Sequence, residues 1–108
     1  MATVVDNADI LKGEDRLCTF SFPAPMPTGA STWNYALKIT QTKGGNPLIT
    51  KTFGPSDYNA GDEEWTFTVA AASTTLLTFG LVTYAKIWRT DTGYEKPVSK
   101  EYVLTVGR

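Results

Sequence analysis

Apolar side chains recur at every second position in four separate stretches of this sequence, and that spacing constrains the fold more than any other feature. From Trp33 to Gln41 the positions Trp33, Tyr35, Leu37 and Ile39 are apolar, whereas Asn34, Lys38 and Thr40 are polar and Ala36 is small. A period of two places alternate residues on opposite faces of a strand; a helix would scatter them around its axis. Cys18, Phe20 and Phe22 repeat the pattern against Leu17, Thr19 and Ser21, and Trp65, Phe67 and Val69 repeat it against Thr66 and Thr68. Tyr102, Leu104 and Val106 form the fourth stripe. Seventeen threonines and 12% aromatic residues agree with strands, because β-branched and aromatic side chains pack well on a pleated surface.

Turn chemistry separates these runs. Lys43-Gly44-Gly45-Asn46-Pro47 lies between the strand ending near Thr42 and the run Leu48–Phe53, and supplies the positive-φ residues a hairpin needs. Asp91-Thr92-Gly93 does the same between Val82–Arg89 and the last stripe. The segment 23–29 holds three prolines, which remove three ladder donors, so it reads as an irregular crossover between sheets. Residues 54–62 read as a second long loop. Ala70–Leu77 is the one helical piece expected, of one or two turns, with Ser73 or Thr74 as its cap. About seven short strands, with turn signals every eight to twelve residues, predict an all-β, immunoglobulin-like antiparallel β-sandwich. A closed small barrel is the second choice.

Length and composition bound the rest. A chain of 108 residues fits a single domain over 1–108 and buries roughly 65% of its unfolded surface, enough for a core without staples. At 42% hydrophobic and 19% charged it is too apolar for a disordered chain. The net charge of -1 and the scattered lysines and arginines lack the cationic clustering that phosphate binding requires, so no nucleic-acid partner is expected. The start, Met1-Ala2-Thr3-Val4-Val5-Asp6, has no basic n-region, and no apolar stretch approaches the roughly 20 residues that span a bilayer. A soluble product, made in the cytoplasm with Cys18 reduced and without a membrane partner, is the expectation.

Catalysis has few starting points here. With no histidine, the Ser/His/Asp and Cys/His arrangements are impossible. Cys18 sits on an apolar stripe, which raises a thiol's pKa and quenches it, so it reads as structural. Asp57, Asp62, Glu63 and Glu64 are the acidic concentration, but their spacing matches no calcium loop and reads as a solvated surface. No catalytic residue, metal or cofactor is assigned.

Tryptophan could stack on a sugar ring, but Trp33 and Trp65 share stripes with core residues. Trp88 differs. Its strand presents Val82, Tyr84, Lys86 and Trp88 on one face and Leu81, Thr83, Ala85, Ile87 and Arg89 on the other, and neither face is cleanly polar. A strand apolar on both sides has something to cover it, and aromatic residues are enriched at interface hot spots. Val82, Tyr84, Trp88 and Arg89 are therefore the expected partner-binding residues. Lys38 and Lys51 read as charges that blunt sheet edges.

The order of these features resembles the immunoglobulin-like domain that opens the upper baseplate proteins of phages infecting Gram-positive hosts, and related small virion proteins. Asp9-Ile10-Leu11-Lys12-Gly13-Glu14-Asp15 resembles the opening turn, with Gly13-Glu14-Asp15 in place of a Gly-Asp pair. Trp33–Gln41, a Gly-bearing hairpin and Pro47–Phe53 resemble the central hairpin. Trp65–Val69, Thr74-Thr75-Leu76-Leu77, Phe79-Gly80 and Tyr84–Arg89 resemble the passage that follows, and Asp91–Gly93 with Glu101–Val106 the closing hairpin. The resemblance implies a non-enzymatic virion component (head decoration, tail or baseplate) that docks to capsid, tail or baseplate subunits, often as a homo-oligomer. The alternatives are a carbohydrate-binding module using exposed tryptophans and an extracellular adhesion domain.

Overall fold

The computed structural model describes residues 10–78, 80–91, 95–99 and 101–107. The start of the chain, Phe79, Thr92, Gly93 and Lys100 therefore lie outside the described residues, and with them part of the expected closing hairpin.

Among the described residues there are nine strands: β1 (Ile10–Leu11), β2 (Arg16–Phe20), β3 (Tyr35–Thr40), β4 (Pro47–Phe53), β5 (Tyr58–Asn59), β6 (Glu64–Val69), β7 (Val82–Arg89), β8 (Lys96–Pro97) and β9 (Tyr102–Gly107). The larger sheet has the order β1-β9-β7-β3-β4, with β8 paired to the end of β7, and the smaller has the order β2-β6-β5. Strands hydrogen-bond to neighbours that are distant in sequence, and segments 21–34 and 54–57 cross from one layer to the other. Lettered in the immunoglobulin manner, β2, β6 and β5 correspond to B, E and D, and β3, β4, β7 and β9 to C, C′, F and G. The fold is an all-β sandwich of two sheets.

Three local features depart from the sequence expectation. The sandwich is not purely antiparallel, because β1 runs parallel to β9, with Ile10 opposite Val106. The loop 54–62 contains β5, held by Tyr58, whose ring lies 4.7 Å from that of Trp65. Lys38 cannot blunt an edge: β3 is an interior strand, between β4 and β7. Lys51 does lie on an edge strand, β4, on its core-facing side.

The helical piece is a single turn, α1 (Ala71–Thr74), and neither Ser73 nor Thr74 caps it. Its first amide, Ala71 N–H, donates to Asp15 Oδ1 at 2.7 Å. Lys12 Nζ donates to the carbonyls of Thr75 (2.5 Å) and Leu77 (2.6 Å), and Thr74 Oγ1 donates to Glu14 O at 2.8 Å. The turn between β1 and β2 thus clamps α1 at both ends, serving amides and carbonyls that a four-residue helix cannot satisfy itself. Gly13 sits at φ +82 within that turn, a conformation that favours glycine.

The alternating stripes meet between the layers. Phe20 and Trp65 face Tyr35 and Phe53 at one end, while Ile10, Ile39, Ile49, Val69, Leu77 and Val106 fill the other. Tyr35 stacks on Phe53 at 5.2 Å and Phe53 on Phe67 at 4.1 Å, so aromatic contacts continue from one sheet to the other. The Tyr35 hydroxyl donates to Ala30 O at 2.8 Å, giving its polar tip a partner inside the core.

Candidate functional site: the outer face of the larger sheet

Strand parity decides which side chains leave the core. On β7, Thr83, Ala85 and Ile87 are buried between the sheets, so Val82, Tyr84, Lys86 and Trp88 point outward. The registers bring neighbours to them. Val103 lies opposite Tyr84, Thr105 opposite Val82, Thr40 opposite Tyr84, Lys38 opposite Lys86 and Ala36 opposite Trp88. The result is a ridge along the middle of the sheet whose most exposed apolar members are Val103 (56%) and Val82 (40%), with Tyr84 and Trp88 half-buried.

Charge is concentrated at the Trp88 end. Lys38 Nζ lies 4.8 Å and Lys86 Nζ 5.9 Å from the indole centroid, so two cations share one ring. Lys38 also pairs with Glu95 at 2.5 Å. Two lysines directly opposite each other on one face repel; the indole and Glu95 offset that repulsion. An anionic or aromatic group on a partner would meet a cationic, aromatic corner flanked by aliphatic surface.

Val82, Tyr84 and Trp88 are brought together as the sequence suggested, whereas Arg89 is separated from them. It has the opposite parity and turns to the end of the sandwich. There its guanidinium carbon lies 3.7 Å from the centroid of Trp33, and its Nε donates to Asp91 Oδ2 at 2.6 Å. Asp91 Oδ1 accepts the Asn34 amide at 2.8 Å, and the Thr90 amide donates to Asn34 O at 2.9 Å. Arg89 therefore helps close one end of the fold. Val103 completes the ridge from the off-stripe side of the last strand, outside the residues the alternation singles out. An aliphatic residue among off-stripe positions that are otherwise polar was the available signal.

The Asp91 carboxyl is held below its ordinary value of 3.8, first by the Asn34 amide and then by Arg89. A depressed native pKa means that folding favours the carboxylate. The stability it adds is present above that ordinary value and is lost as pH falls through the native pKa. Asp91→Asn is accordingly expected to flatten the fall of stability below about pH 4, as read by urea unfolding across pH. An unchanged acid limb would mean that Asp91 does not carry that dependence.

The other candidates have structural surroundings. Trp65 is fully buried, and Trp33 packs on Phe22 and Tyr35 with Arg89 over its ring. Burial pushes the Cys18 thiol up, with Arg16 opposing. Asp57 accepts the Gly54 amide at 3.0 Å and Asp62 accepts Asn59 Nδ2 at 3.0 Å. Among the described residues, no group of three or more His, Cys, Asp or Glu side chains is placed to hold a metal ion. No helix among them is long and apolar enough to cross a membrane. No family model matches the chain, and no curated protein matches it.

Proposed function

We propose that this chain is a non-enzymatic structural or accessory component of a bacteriophage particle (head decoration, tail or baseplate), which works by seating the outer face of its larger sheet on a neighbouring virion subunit. The single observation that carries the docking mode is the ridge of Val82, Tyr84, Val103 and Trp88 on a face that could instead have been wholly polar. The particle assignment is supported by the resemblance of the sequence landmarks, and the all-β sandwich is the fold class that resemblance implies. A carbohydrate-binding reading needs at least two coplanar exposed tryptophans. Trp65 is buried and Trp33 is covered on one face, which favours the docking reading.

Mass spectrometry of purified particles from a lysate in which the gene is expressed is the direct test. The chain is expected among the particle proteins, and its absence would remove the assignment. Within particles, Trp88→Ala and Val103→Glu are each expected to weaken incorporation by roughly 30-fold, the size of an interface hot spot of about 2 kcal/mol. Arg89→Glu is expected to lower the melting temperature without a specific loss of docking, because Arg89 lies away from the ridge. Normal incorporation of both ridge variants would overturn the docking face.

A further inference from the structure

We draw no further inference here: the strongest candidate, the apolar groove of about 310 Å³ walled by Cys18 and Phe20 of β2 and by Leu37, Ile87 and Leu104 of the larger sheet, carries nothing because nothing in the structure shows what covers it.

Discussion

Replacing Trp65 by alanine is expected to lower the unfolding free energy by about 3–5 kcal/mol, the range for emptying a buried aromatic site. Trp65 is fully buried, and its ring lies 5.2 Å from Tyr35, 4.7 Å from Tyr58 and 5.6 Å from Phe20. The indole thus joins both sheets and the short β5. A domain of this size carries roughly 5–15 kcal/mol in total, and each kcal/mol moves its melting temperature by about 4 °C. A fall of roughly 12–20 °C should therefore be seen by circular dichroism. Trp65→Phe should behave differently. The buried Nε1 of Trp65 has no hydrogen-bond partner among the described residues. Phenylalanine removes that orphan donor, recovering part of a desolvation cost of about 1–3 kcal/mol, and leaves a smaller cavity than alanine. The net loss should stay below about 1.5 kcal/mol. Equal losses for the two variants would mean that the indole nitrogen is satisfied and that its desolvation is not a cost.

The second expected result concerns the clamp between the β1–β2 turn and α1. Thr74→Val keeps the shape of a fully buried side chain but deletes the donor to Glu14 O, and is expected to cost about 1–2 kcal/mol. Lys12→Met keeps the aliphatic stem and removes the ammonium that bonds the carbonyls of Thr75 and Leu77, at about 1 kcal/mol. Both hold the same β1–β2 turn against α1 and the residues that directly follow it. Once one is lost the other has less to hold, so the double variant should fall short of the sum by about 0.5 kcal/mol or more. Urea unfolding of the two single variants and the double variant measures this directly. Strict additivity would show that α1 is held elsewhere and that the turn merely lies beside it.

Trp88 and Arg89, adjacent in sequence, mark where linear reading reached its limit. Their strand is apolar on both faces, so pattern alone could not separate the core side from the outer side. The buried Ala85 and Ile87 assign Arg89 to one side and Trp88 to the other. Trp33 reads as part of a strand, yet the strand starts at Tyr35 and Trp33 follows a single 3₁₀ turn at Ala30–Thr32. Alternation there continues past the paired region, because extended backbone does not require a partner. The clamp around α1 was likewise illegible. Its donors and acceptors stand 56 to 65 residues apart, and nothing in the spacing of Lys12 and Asp15 announces a helix so far along the chain.

The sequence by itself determined that this protein is built of strands, where most of them run, which stripes form the core and which segments cross between layers. Those properties follow from local rules: side chains alternate every residue, prolines withhold donors, and glycines permit turns. Only the tertiary structure decided which strands become edges, which face of β7 looks outward, and which distant carbonyls and amides complete a four-residue helix. Pairing partners are chosen by the closure of the whole sandwich, and the ridge around Val103 exists only once that closure is made.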